Sequence, residues 1–274
     1  MHTTHIREPV PVRACDLAAD DYGQDDHRPA LVLLHGMTFN RSIWQPIMAE
    51  LERIDPGRRV LAIDLPGHGQ SPPLPSYELD TATDLLSRAV QQAGLIAPVL
   101  VGHSASGLAA TIYAARHPTR GVINIDQSLD VAPFAELVRS LADRLRGPGF
   151  PAVWQMFYDS FHTELLPAGA QNLVRSTCRP SQEVILGYWQ QIFDRPVAEL
   201  TTLIADATAA LRMAGVPYLY IAGDELAAGY RQWLGEHLPA ATIEVWSRTG
   251  HFPHLARPQQ FAQQLADTAH WSAR

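Results

Sequence analysis

Short apolar runs bounded by turn residues recur along this chain, separated by longer stretches with the period of an amphipathic helix. Ala30-Leu-Val-Leu-Leu34 reads as a strand, Ser42 to Arg53 as a helix, and Arg59-Val-Leu-Ala-Ile63 as a second strand. A helix from Leu79 to Ala93 precedes the run Pro98-Val-Leu-Val101. An alanine-rich helix from Ala105 to His117 follows, then the strand Gly121-Val-Ile-Asn-Ile125, which ends at Asp126. Runs that are apolar throughout, rather than alternating, belong to strands covered on both faces. From Leu129 to about Leu211 the strand rhythm stops and only helical patterns remain. One of these puts Phe150, Trp154, Phe157, Tyr158 and Phe161 on a single face. Another is opened by Ser181, a good N-cap, and turns Ile185, Tyr188, Trp189, Ile192 and Phe193 to one side. The alternation resumes with the strand Pro217–Ala222, a helix from Gly229 to Leu238, the strand Ala241–Trp246 and a helix from Pro258 to Thr268. This order predicts an α/β fold, a mostly parallel doubly wound sheet. Residues 1–128 supply the first part of the core, 129–212 a helical cap insertion, and 213–274 the second part.

The composition fits that architecture. With 274 residues, 46% of them hydrophobic and 18% charged, the chain can bury a full core. Its net charge is -7, and every one of the 21 basic residues is arginine, dispersed rather than clustered. No surface for nucleic acid is expected. Met1 to Arg7 carries no apolar signal segment, and no run approaches the roughly 18 apolar residues of a membrane span. The reading is a cytoplasmic enzyme with a small-molecule substrate and no nucleic-acid or membrane partner. Cys15 and Cys178 stand far apart with no metal-ligand spacing, so each is expected as a free thiol, with no metal and no cofactor.

Chemistry concentrates at the strand ends, where open α/β sheets place their sites. Gly102-His103-Ser104-Ala105-Ser106-Gly107 joins a strand to a helix through a turn of small residues. A serine hydroxyl is a weak nucleophile, and such a turn exposes it beside a helix N-terminus that favours developing negative charge. His35-Gly36-Met37-Thr38 ends the first strand, Asp126 ends the strand after the serine helix, and Gly250-His251-Phe252-Pro253-His254 follows the last strand. With the loop Asp64-Leu-Pro-Gly-His-Gly-Gln-Ser71, this series resembles the α/β-hydrolase superfamily over nearly the whole chain. The resemblance implies Ser104 as nucleophile, His251 as general base, and an oxyanion hole from the backbone N–H groups of Met37 and Ala105. His35, His68 and His103 are expected to bond to backbone, and His254 to support the site or face the cap.

Two departures from the family pattern stand out. Ser106 occupies the place of a second glycine, with Gly107 one position late. The usual acid position, three residues beyond Gly223, holds Leu226, and Asp224 and Glu225 stand one and two places early. Asp126 is the leading candidate to orient His251, as in haloalkane dehalogenases and cofactor-free dioxygenases, with Asp224 or Glu225 as alternatives. Phe39, Trp154, Tyr158 and Phe252 are candidate pocket residues, and Arg139, Arg144, Arg146, Arg175 and Arg179 are candidate anchors for a carboxylate. The implied reaction is hydrolysis of a small carboxylic ester, thioester or lactone through an acyl-enzyme. Alternatives on the same fold are C–C bond hydrolysis, cofactor-free oxygenation, or a small-molecule receptor with residual activity. Oxygenation is opposed by Phe39, which stands where that group carries a histidine.

Overall fold

The apolar runs assemble into one eight-stranded sheet. The computed structural model describes residues 10–14 and 17–271, so Met1 to Arg7 and Cys15 lie outside the described residues. In chain order the strands are β1 (Val10–Ala14), β2 (Leu17–Tyr22), β3 (Leu31–Leu34), β4 (Val60–Ile63), β5 (Val99–His103), β6 (Gly121–Ile125), β7 (Tyr218–Ala222) and β8 (Thr242–Val245). Their spatial order is β1-β2-β4-β3-β5-β6-β7-β8. The β1–β2 and β2–β4 pairs are antiparallel, and every other pair is parallel. The β1–β2 hairpin carries no sequence signal comparable to the apolar runs. Its Asp20 and Asp21 make β2 look like a loop, but Arg41 and Arg59 meet these carboxylates at 3.0 and 2.9 Å.

Successive residues of a strand point to opposite faces, and the two faces bury two apolar layers. Leu31 and Leu33 pack with Ile47 and Leu51 of α1 (Gln45–Ile54) and with Phe261 and Leu265 near the C-terminus. Val32 and Leu34 pack on the other side with α2 (Leu79–Gln92) and α3 (Ala105–Arg116). The helix expected from Ser42 begins instead as a short 3₁₀ turn over Arg41–Trp44, and the α-helix starts at Gln45 with Pro46 in its first turn. Proline is tolerated there because its missing N–H has no intrahelical acceptor.

Between β6 and β7 lie α4 (Ala132–Ser140), α5 (Ala142–Arg146), α6 (Phe150–Asp159), α7 (Ala168–Thr177), α8 (Gln182–Asp194) and α9 (Val197–Ala214). The boundary expected at 212 falls in the last turn of α9. In α9, Ile204, Ala207 and Leu211 are buried in the same layer as α3, so this helix packs with the sheet. A separate core of Val138, Leu145, Phe150, Val153, Trp154, Ile185 and Trp189 holds α4, α5, α6 and α8 together. Ser181 caps α8, its hydroxyl accepting from the Val184 N–H. The chain closes with α10 (Ala228–His237), α11 (Pro253–Ala256) and α12 (Pro258–Asp267). Among the described residues no helix is long and apolar enough to cross a membrane.

Candidate active site

Ser104 stands between β5 and α3 with φ 55° and ψ -137°, a backbone conformation that a non-glycine residue adopts only when its surroundings enforce it. Close neighbours do so. A Cβ at Gly102 would collide with the carbonyl of Ser106, and one at Gly107 would collide with the Asn124 side chain. The glycine that looked one place late is therefore required by packing against β6. Ser106 is buried, and its hydroxyl donates to the His35 carbonyl at 2.5 Å. This residue, an apparent departure from the motif, ties the serine turn to the loop after β3.

That loop lies directly against the serine. A Cβ on Gly36 would be 3.2 Å from Ser104 Cβ. The Phe39 N–H donates to the Gly36 carbonyl at 3.2 Å, and the Thr38 carbonyl accepts the Arg179 N–H at 2.7 Å. Neither bond uses the Met37 N–H. Ala105 opens α3, so its N–H has no acceptor within the helix. Ala105 thus follows the serine directly at the start of α3, and Met37 follows Gly36 in the loop packed against it.

Of the three candidate carboxylates, the structure brings Asp126 to His251. Its Oδ2 accepts from His251 Nδ1 at 2.8 Å, and its Oδ1 accepts the Gly223 N–H at 2.9 Å. A carboxylate bonded in this way can only accept, so Nδ1 carries the proton and Nε2 is left free to receive one. Asp126 has φ 55°. Its N–H continues the ladder to the Ile221 carbonyl at 2.8 Å, while buried Asn124 fixes the following turn by accepting from Gln127 N–H at 3.1 Å and donating to Gln127 O at 3.0 Å. An asparagine in an otherwise apolar strand was the available signal for this support. Asp224 and Glu225 face solvent instead, where Asp224 accepts the Glu225 N–H at 2.8 Å and Glu225 meets Ser247 and Arg231. Gly223 is required for a different reason than acid spacing, because a Cβ there would run into the Gly250 carbonyl.

The other histidines support the loops. His35 donates to the Gly36 carbonyl at 2.8 Å and accepts the Leu65 N–H at 3.0 Å. His68 bonds to the Pro66 carbonyl at 2.9 Å, and His103 donates from Nε2 to the His251 carbonyl at 2.8 Å. His254 does not face the cap. It is fully buried beneath the base loop, 4.6 Å from the His103 ring and 5.0 Å from that of Trp44. Burial, with His251 close by, pushes its pKa down to about 3. Burial and the neighbouring His254 and His251 likewise hold His103 well below the ordinary imidazole range.

The candidate pocket residues divide into two groups. Phe39 and Phe252 are only 2% and 0% exposed and meet edge to face at 5.4 Å, so they form the floor beneath the base loop rather than a wall open to substrate. Trp154 and Tyr158 belong to the covering helices, where Trp154 lies in their core and Tyr158 is half-buried. The Met37 side chain packs against that same core. Most of the candidate arginine anchors have structural partners. Arg139 donates to the carbonyls of Ile192 and Arg195, Arg146 covers the Phe193 ring at 4.4 Å, Arg175 bonds to Asn172, and Arg179 bonds to the Cys178 carbonyl. Cys178 is a free, half-buried thiol 3.5 Å from the Thr38 hydroxyl, and burial raises its pKa.

The sequence profile described as the alpha/beta hydrolase family matches residues 31–264. The chain is 28% identical over 254 residues to the pimeloyl-[acyl-carrier protein] methyl ester esterase of Vibrio vulnificus, covering 88% of this chain and 94% of that protein. It is 30% identical over 256 residues to the 2-succinyl-6-hydroxy-2,4-cyclohexadiene-1-carboxylate synthase of Yersinia pseudotuberculosis, covering 86% of each. Among solved structures, an esterase from Exiguobacterium antarcticum superposes with a TM-score of 0.72 at 19% identity, over 95% of this chain and 99% of that one.

Proposed function

The chain belongs to the alpha/beta hydrolase family, and on that premise we propose that it hydrolyses a small carboxylic ester, thioester or lactone through an acyl-enzyme on Ser104. The observation that carries this reading is the Asp126–His251 hydrogen bond of 2.8 Å, taken with a serine held at a strained strand-to-helix turn. His251 Nε2 takes the Ser104 proton as Oγ attacks the carbonyl carbon. The oxyanion is received by the N–H groups of Met37 and Ala105, each such donor contributing about 3 kcal/mol to the transition state. His251 then returns the proton to the leaving alkoxide, thiolate or ring oxygen, and water repeats the sequence on the acyl-enzyme. Asp126 holds the tautomer and stabilises the imidazolium. The helices α4 to α8 serve as the cap, and the aromatic core they share with Met37 suits an apolar acyl group. The names of the esterase relatives support the ester as the scissile bond.

A burst of chromophore from an activated aryl ester, equal to the enzyme concentration and absent in Ser104→Ala and His251→Ala, is the expected result. Undiminished turnover in either variant would overturn the assignment. Negligible ester cleavage beside rapid cleavage of a diketone would redirect the reading to C–C bond hydrolysis.

A further inference from the structure

The turn that follows α6 also grips the loop that carries the base. The His251 N–H donates to the Phe161 carbonyl at 3.0 Å. The Phe161 ring lies over the imidazole with centroids 4.8 Å apart and planes only 19° from parallel. Two backbone features permit this approach. His162 adopts φ 52° although it is not glycine. Gly250 has φ 58°, and a Cβ there would stand 2.6 Å from the Phe161 carbonyl and 2.8 Å from that of His162. Retained strain on one side and an omitted side chain on the other mark a contact that the fold keeps close. The other rings beside His251 meet it differently: His103 at 49° and Phe252 at 76°. Of these three, Phe161 presents the flat face.

We infer that Phe161 is a positioning residue for His251, holding the imidazole between Asp126 and Ser104 and favouring its protonated form during the reaction. This rests on His251 being the base. A parallel ring restricts rotation of the imidazole, and the main-chain bond fixes the loop from which the imidazole projects. When His251 takes the Ser104 proton, the imidazolium lies over the negative face of an aromatic ring, an attraction stronger for the cation than for the neutral ring. An interaction that strengthens as the proton is transferred accelerates the chemical step rather than improving substrate binding.

The test compares Phe161→Ala, Phe161→Leu and Phe161→Tyr with wild type on an aryl acetate and an aryl octanoate, with thermal melts to establish folding. Phe161→Ala and Phe161→Leu should lower kcat on the order of 10- to 100-fold for both esters, the scale of a small misplacement of a catalytic group. KM should be nearly unchanged, and Phe161→Tyr, which keeps the flat ring, should stay close to wild type. If Phe161→Ala fails to fold, the Leu and Tyr variants decide. Wild-type kcat in Phe161→Leu would overturn the inference, as would a loss confined to KM and dependent on acyl length, which would make Phe161 a pocket wall. Ser104→Ala and His251→Ala separate the two levels. Activity in those variants removes the base assignment itself, whereas inactive controls beside unaffected Phe161 variants remove only the role of Phe161.

Discussion

Asp126 is held by two constraints that act on different oxygens: the Gly223 N–H on Oδ1 and His251 on Oδ2. Replacing it with asparagine keeps the shape but offers an N–H₂ where an acceptor is needed, so the imidazole loses its productive tautomer. Asp126→Asn should reduce kcat/KM by about 10⁴-fold. Asp224→Asn and Glu225→Gln, changed on an exposed loop, should leave it within about twofold, since isolated surface changes rarely propagate. Equal losses in all three would show that the imidazole is oriented by some other group. Ser106 is a subtler case. Its hydroxyl satisfies the His35 carbonyl next to Gly36, so Ser106→Ala leaves a buried acceptor unpaired at a cost of about 1–3 kcal/mol. The loop bearing the Met37 N–H loosens at the same time. A lowered melting temperature together with a lowered kcat is the expected signature, and a change in neither would make the bond incidental.

At the level of elements, the strands were readable because β3, β4, β5, β6 and β7 are apolar on both faces and end at turn residues. Their ends therefore place Ser104 and Asp126 on one edge from the sequence alone, and His251 joins them from the loop after β8. The β1–β2 hairpin was not readable, because Asp20 and Asp21 are acceptable in a strand only through Arg41 and Arg59, which lie far along the chain. The role of α9 was hidden for a similar reason: its helical period is plain, but packing on α3 rather than under the cap is a long-range fact. The grip of Phe161 on His251 and of Arg179 on Thr38 is likewise invisible in spacing, since both are main-chain bonds between distant segments. Glycines report such contacts experimentally. Gly223→Ala drives a Cβ into the Gly250 carbonyl, so it should destabilise the fold by several kcal/mol, on the order of the largest single-site effects, and abolish activity. Gly235 lies inside α10 with no neighbour within 4 Å of its would-be Cβ. Gly235→Ala should therefore stabilise the protein by about 0.5–1 kcal/mol. Urea melts of the two variants give the contrast, and similar midpoints would contradict the packing at Gly223.

The whole molecule has an unusual amount of buried imidazole beneath its site, and this makes its stability depend on pH. Burial holds His35 and His254 at about 3 against an ordinary value of 6.5, and His103 also lies well below that value. Above pH 6.5 these rings are neutral in both folded and unfolded chains and contribute no pH dependence. Below it the unfolded chain binds protons that the folded protein refuses, so stability falls as pH falls, down to the depressed folded values. Each ring contributes a slope of about 1.4 kcal/mol per pH unit in that window, and the three together about 4. Most carboxylates titrate lower, below about pH 4.5, so the interval from 6 to 5 chiefly reports the histidines. Between pH 6.5 and pH 5 the loss amounts to about 6 kcal/mol, a large share of the about 5–15 kcal/mol of a folded domain, so a marked fall in stability by pH 5 is expected. The check is a series of urea titrations between pH 7 and pH 5 on wild type and His254→Leu. The leucine fills the apolar site between Trp44 and Phe261 without a titratable group, so the variant should lose about 1.4 kcal/mol per unit from the slope while remaining folded at pH 7. An unchanged slope would mean that His254 takes up its proton in the folded state. The neutral imidazole layer supporting the His251 loop would then not exist as the geometry describes it.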